Sequence, residues 1–527
     1  MCRSRVLRAP LDPSLVLVYC LTHTWASKIS HGRAMDKVSF YGRVERVSSN
    51  ALPLVIGIVR SGAAVCIVSF CLFGIMLSTL IPPFQVPDEP MHWIAGYSRT
   101  HSTVSPTNPK EHCSFANALP DLFEVGRIAF YPSNKFDVTS IHNLSKMKEV
   151  CSEAYLNYGT ATTYPGILLG RLFTLREETV PEKTFQVFML GRLFQGGIVA
   201  FLLWRLVSTA LRARGYMVGL LSTSVLMVSP LFIQQSFAIS ADGITFALSL
   251  SLLFFLFFMK DAKWFDWLVM LFLVTAVSAT KPPLVLPIPV FLGVGLLRMR
   301  GFGTKSWRAW TVAASVALSI LATLWVVGAQ SQGNSEAVLK ANQNVAGQIA
   351  YVKEHPVNVM VLVALHTGKY LRLSPLIGPL GWLDASLSPW TVAKYRHIVL
   401  MAIFLEILLA SCLFFSRERR LPTQSQLISA ILLVGSQVGA ALAVTFILYL
   451  TWTPPGASTV MGVQGRYFLP MLLTVPLVLG DLVSPAQNVE SVSVWSRRGF
   501  ALGVILFSFL LLSFAFPLYL DLLRRWW

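Results

Sequence analysis

The chain has 527 residues, 54% of them hydrophobic and 13% charged, with a formal net charge of +18. Soluble chains carry about 25% charge, so a water-soluble globule is excluded, and long runs of Leu, Phe, Val and Ile broken by Gly, Ser and Ala point to helices packed in lipid. The Lys and Arg residues fall mostly in short segments between those runs, which is the positive-inside pattern and not a nucleic-acid surface.

Taken in order, residues 1–52 read as a basic cytoplasmic tail. Arg3, Arg5 and Arg8 are followed by Pro10, Asp12 and Pro13, which interrupt the core that a signal peptide needs. Met35 is an alternative start, leaving residues 1–34 as an extension. The first span covers about 53–80 and stops at Pro82 and Pro83. A polar stretch over about 81–185 is too long for a connector and reads as an extracytoplasmic loop with one or two helices on the membrane surface. A helical bundle over about 186–328 follows, with spans near 186–208, 216–236, 242–259, 264–280, 283–299 and 309–328. A second extracytoplasmic loop, about 329–395, contains the apolar piece 357–377. The last spans lie near 396–415, 425–450, 464–482 and 499–520, within the C-terminal section 396–527.

The fold class is therefore an all-α polytopic membrane protein of about eleven transmembrane helices with a large first extracytoplasmic loop. Loop charges support this count. With the N-terminal tail inside, the inner connections carry Arg205, Arg212 and Arg214, then Lys260 and Lys263, Arg298 and Arg300, Arg417 to Arg420, and Arg497 and Arg498. If 357–377 crossed fully, the Arg417 cluster would move outside, so that piece reads as re-entrant, interfacial or half of a paired crossing. Arg524 and Arg525 fall on the outer side, against the trend.

The unusual polar residues gather at the outer ends of the spans. In Pro87-Asp88-Glu89-Pro90-Met91-His92 two prolines bracket adjacent carboxylates. Adjacent acids repel, which raises one pKa when both are partly buried and suits a general base. His92 lies one helical turn after Asp88. The plainer explanation is a helix start, with Asp88 as N-cap and Glu89 favoured by the dipole. A divalent metal held by Asp88, Glu89 and His92 is a further use of the same run, with fewer ligands than hard-metal sites show. No other metal site is expected. Asp242, in Ser240-Ala241-Asp242-Gly243, opens a later span, where an N-cap role is the simple alternative. Lys281 and Arg466 are cations on the outer side, each able to hold a phosphate; Arg466 sits at a helix start where backbone N–H groups already favour anions. Gln464 and Tyr467 flank it. Trp382 and Asp384 lie in the second loop, where Trp suits an aromatic belt. Glu406 lies inside a span.

Cys113 and Cys151 share the first outer loop, where disulfides persist, and are expected to pair. Walker, dinucleotide, H-E-x-x-H and C-x-x-C patterns are absent.

The motifs Pro87 to His92, Ser240 to Gly243, Lys281-Pro282, Leu380-Gly381-Trp382-Leu383-Asp384 and Gln464-Gly465-Arg466-Tyr467-Phe468-Leu469-Pro470 resemble, in order, a bacterial membrane family known as domain of unknown function 2142. That family looks like a branch of the C-type glycosyltransferase superfamily, enzymes that use polyprenyl-phosphate sugars on the outer face. The resemblance implies a C-type glycosyltransferase-like fold in the bacterial inner (plasma) membrane, with the N-terminus cytoplasmic. It implies a polyprenyl-phosphate sugar donor, a glycan, lipid or protein acceptor, and membrane lipids as partners, with no nucleic acid. Asp88 would be the base or acceptor-positioning group, with Glu89 second and His92 beside them; Arg466 and Lys281 would bind the donor phosphate. Asp242, Trp382, Asp384, Gln464 and Tyr467 would line the site. The rivals are a transporter or flippase of lipid-linked glycans, which needs a polar path at mid-membrane, and a non-catalytic assembly subunit, which gains if the two outer loops stay apart.

Overall fold

The computed structural model describes residues 62–101, 103–104, 112–128, 131, 133–137, 139–152, 164–173, 181–212, 229–258, 264–280, 288–290, 292–293, 316–317, 320–321, 344–372, 377–381, 384–415, 424–469, 478 and 513–527. The tail 1–52, Lys281 and Trp382 lie outside them, as do the side chain of Glu406 and all or most of the expected spans 216–236, 283–299, 309–328, 464–482 and 499–520.

Helix α1 (Gly62–Leu80) is apolar on every side, as a helix in lipid must be. Its last turn returns the Ser78 and Thr79 hydroxyls to the Ile75 carbonyl, and Pro82 and Pro83 end it. Val68, Leu72 and Ile75 of α1 stay exposed, a surface that water-soluble chains avoid in such runs. Helix α2 (Glu89–His101) follows at once.

The polar stretch after α2 forms a three-stranded antiparallel sheet, β1 (Thr103–Val104), β2 (His112–Ser114) and β3 (Val150–Ser152), in the order β1-β2-β3. Cys113 stands opposite Cys151 across β2 and β3, and the two form a disulfide with Cα atoms 3.8 Å apart. Helix α3 (Phe115–Leu122) leaves β2 with Ser114 as its N-cap, the hydroxyl accepting from the Asn117 N–H.

Two helices then pack by small residues. Helix α4 (Tyr164–Phe173) lies on the 32-residue α5 (Pro181–Arg212) with Gly166 and Gly170 facing Gly191; a Cβ at Gly170 would stand 2.7 Å from the Val187 carbonyl. This is the close backbone approach that membrane helices use in place of hydrophobic drive. Phe237 seals α1 against α5. Its ring occupies the space that a Cβ at Gly74 or Gly196 would take, 2.0 and 2.3 Å away.

Helix α6 (Pro230–Ser236) and α7 (Ala241–Phe258) meet at 105° across residues 237–240. The corner holds because Gly243 lets α7 approach Ser236, where a Cβ would lie 2.4 Å from its Cα. Helix α8 (Trp264–Thr280) is apolar, with Phe265, Leu268 and Phe272 exposed.

Helices α9 (Val345–Glu354) and α10 (Pro356–Tyr370) occupy the second polar region. Gln348 donates to the Tyr449 carbonyl at 3.1 Å and Thr367 to Thr445 at 2.9 Å. A straight helix from Gln348 to Thr367 would span about 28 Å, whereas Thr445 and Tyr449 are about 6 Å apart along theirs. The chain therefore turns back at His355–Pro356. Helices α11 (Pro389–Phe415), α12 (Gln424–Trp452) and α13 (residues 513–526) follow.

Among the described residues two helices are long and apolar enough to cross a membrane, Pro181–Leu206 and Gln426–Trp452, or three with the bent α6–α7 pair; Ile67–Leu80 and Phe265–Thr280 are shorter apolar helices.

Candidate functional site

The site is built where the turn between α1 and α2 meets the start of α7 and the 3-10 turn Gly465–Phe468. Asp88 and Glu89 are neighbours in sequence but point to different arginines.

Glu89 is fully buried and faces Arg192 of α5. Arg192 Nε donates to Oε1 at 2.8 Å and Nη2 to Oε2 at 2.5 Å. Nη1 donates to the carbonyls of Ser78 and Ile81, and Nη2 also to that of Pro82. All five guanidinium N–H groups are thus spent. Glu89 Oε1 also accepts the Ile239 N–H at 3.0 Å. The pair ties α5 to the end of α1 and to the α6–α7 corner, and it has no donor left for a ligand. The carbonyls it holds are those that an ending helix leaves without partners.

Asp88 has the opposite character. Its φ of 66° lies in the left-handed region, which Asp tolerates better than most residues but at a cost. Its side chain is 31% exposed. One oxygen, Oδ2, accepts from Arg466 Nη2 at 2.5 Å. The backbone carbonyl of Asp88 accepts the His92 N–H, so Asp88 does cap α2, but through its main chain.

Arg466 is buried and shared. Besides Asp88 it meets Asp242 Oδ2 at 3.3 Å through Nε, the Pro87 carbonyl at 3.4 Å and the Tyr467 hydroxyl at 3.5 Å. Its guanidinium carbon stands 5.3 Å from the Tyr467 ring centroid. These contacts are long or poorly aligned, and Arg466 Nε has no hydrogen-bond partner. One arginine here is saturated, and the other keeps donors in reserve.

Three carboxylates (Asp88, Glu89, Asp242) face two guanidinium groups, which leaves one negative charge in the cluster. His92 is buried in the first turn of α2. Among the described residues no three His, Cys, Asp or Glu side chains gather as a metal-ligand set; Asp88 and Glu89 are drawn apart by their arginines.

Asp384 lies elsewhere. It is buried and paired with Arg525 of α13. Arg525 also donates to the carbonyls of Asn134 at 2.8 Å and Ile128 at 2.9 Å. This joins the first and second polar loops through one side chain. It also gives Arg525 a buried partner. Gly381 reaches α6 through a hydrogen bond from its N–H to Gln234 Oε1 at 3.0 Å.

Of the residues singled out by sequence, Asp88, Asp242, Arg466 and Tyr467 come together, with Gln464 two residues before Arg466. Glu89 faces the other way and Asp384 holds a separate pair. Arg192 was not singled out, although a cation inside an apolar span is itself a signal.

The chain belongs to the family described as predicted membrane protein (DUF2142), whose profile matches residues 71–475. No curated protein and no solved structure matches it.

Proposed function

We propose that this family member is an integral membrane glycosyltransferase. It moves a sugar from a polyprenyl-phosphate donor to a cell-envelope glycan, glycolipid or protein on the extracytoplasmic face. The observation that carries this reading is the contrast between the two arginines: Arg192 is spent, whereas Arg466 holds a partly exposed Asp88 through one short bond and meets its other neighbours only at 3.3–3.5 Å.

In this reading the donor phosphate takes the reserve donors of Arg466, with Lys281 as the second cation, and Asp88 turns its carboxylate to the acceptor. Asp88 removes the hydroxyl proton as the acceptor oxygen bonds to the anomeric carbon. The bond from that carbon to the phosphate oxygen breaks, and the lipid phosphate leaves with the electron pair. Protonation of Asp88 removes one negative charge from a cluster that already carries an excess. That makes room for the charge growing on the phosphate, which Arg466 stabilises. The test is Asp88→Asn in purified protein reconstituted with lipid-linked sugars. Transfer falls by about 10²–10⁴-fold if Asp88 is the base; unchanged transfer sinks the role.

A transport reading has one observation in its favour. Ser429 and Gln437 are buried on α12, and Ser429 Oγ and Gln437 Nε2 have no hydrogen-bond partner. Unspent polar groups inside a spanning helix can line a path. Movement of intact lipid-linked sugar between leaflets without bond cleavage, lost in Gln437→Leu, would establish that reading over the enzyme.

A further inference from the structure

The segment Phe84 to Asp88 departs from what stability alone selects at three points. Phe84 has φ 63° and Asp88 has φ 66°, both in the region that non-glycine residues avoid and that concentrates at functional sites. Between them Gln85 is 1% exposed, and neither Nε2 nor Oε1 of its amide has a hydrogen-bond partner. Buried amides are nearly always bonded, and one left unbonded pays its desolvation with nothing in return. A leucine or methionine of similar size would fill the same space without that cost.

A second amide stands in the same condition on the other segment of the site. Gln464 precedes Arg466 by one glycine, and its Oε1 is buried and unbonded. The Asp88–Arg466 ion pair joins these two segments. Each of them therefore carries an unspent amide within three residues of the ion pair it contributes to.

An amide is neutral and both gives and takes hydrogen bonds, which matches a hydroxyl group and not an ion. Asp88 and Asp242 both face Arg466, so a sugar carboxylate set against those two acids would be repelled, whereas the donor phosphate is taken by the guanidinium itself. We infer that Gln85 and Gln464 read hydroxyl groups of a neutral sugar held at the Asp88–Arg466 pair, and that acidic sugars are excluded there. Gln85 gives one hydrogen bond through Nε2 and takes one through Oε1, and Gln464 takes one through Oε1. That the ligand is a sugar rests on the glycosyltransferase reading; that it is neutral and hydroxylated rests on the amides and the charge.

The experiment uses the full chain in lipid nanodiscs, with Gln85→Leu, Gln85→Met and Gln464→Leu. The thermal unfolding midpoint is read without ligand, then with methyl glucoside and with methyl glucuronide. Transfer from polyprenyl-phosphate glucose is read in parallel. The expected result is a midpoint at or above wild type for the apolar variants without ligand. Wild type and Asp88→Asn gain a midpoint rise with methyl glucoside, and wild type gains none with methyl glucuronide. The Gln85 variants lose that rise, and their transfer drops by about tenfold to a hundredfold, the loss of one or two hydrogen bonds. A lower ligand-free midpoint in both Gln85→Leu and Gln85→Met overturns the inference, because an amide whose loss destabilises is structural. Glucoside stabilisation that persists in those variants, or equal stabilisation by glucuronide, overturns it as well. If wild type is stabilised by glucoside but transfers nothing, the enzyme reading fails and the hydroxyl site stands.

Discussion

Arg192 and Glu89 are joined by two hydrogen bonds inside the protein, and three backbone carbonyls take the guanidinium donors that remain. A buried ion pair of this kind is costly to break, because removing one partner strands the other charge.

Glu89→Gln or Arg192→Met alone should therefore cost about 3–5 kcal/mol of stability. The double variant Glu89→Met with Arg192→Met should recover part of that loss. Unfolding midpoints of the three proteins in one detergent check this. A single variant as stable as wild type would show that the pair is not the tie between α1, α5 and the α6–α7 corner.

Arg466→Lys keeps the charge and loses the planar fork that meets Asp88 and Asp242 together. Transfer should fall by about 10²–10³-fold, the range seen when one donor to a developing oxyanion is removed. The folded protein should persist, since a lysine ammonium can still pair with Asp88 and the other contacts of Arg466 are long. Full transfer in Arg466→Lys would remove Arg466 from the chemistry.

Gly381→Ala tests the second loop. Gly381 has φ 61°, and a Cβ there would stand 2.6 Å from Asp384 Oδ1 and 2.7 Å from the Trp526 ring. A loss of about 1–3 kcal/mol is expected from the backbone conformation, with more if Asp384 is pushed off Arg525. The thermal midpoint reads the first effect. Faster proteolysis within residues 128–136 reads the second.

Cys113→Ser should lower stability by about 2–4 kcal/mol, the usual effect of opening a loop of this length; the two cysteines are separated by 38 positions. Wild type treated with reductant should fall to the same midpoint. If reductant leaves the wild-type midpoint untouched, the bond contributes nothing to the loop.

Much of this arrangement is legible in the chain because charged residues at the edge of apolar runs are conspicuous. Asp88, Asp242 and Arg466 stand out for that reason, and each opens a helix or turn. What sequence does not show is how adjacent carboxylates divide their work. Asp88 and Glu89 look interchangeable until the left-handed backbone at Asp88 turns one to Arg466 and the other to Arg192. Arg192 lies about a hundred positions from its partner, and no local pattern announces such a pairing. The same holds for Asp384, which sits in a distinctive motif but serves a distant arginine.

Arg525 also sets an order of events. It lies 397 positions from Ile128 and 391 from Asn134, the loop carbonyls that it binds. A ribosome must add those 397 residues before the Ile128 carbonyl meets its donor. Throughout that interval the first loop has to be kept in place by its own local contacts, and Asp384 waits without its arginine. Docking of α13 on both loops is then a late step, in which Arg525 reaches the two at once.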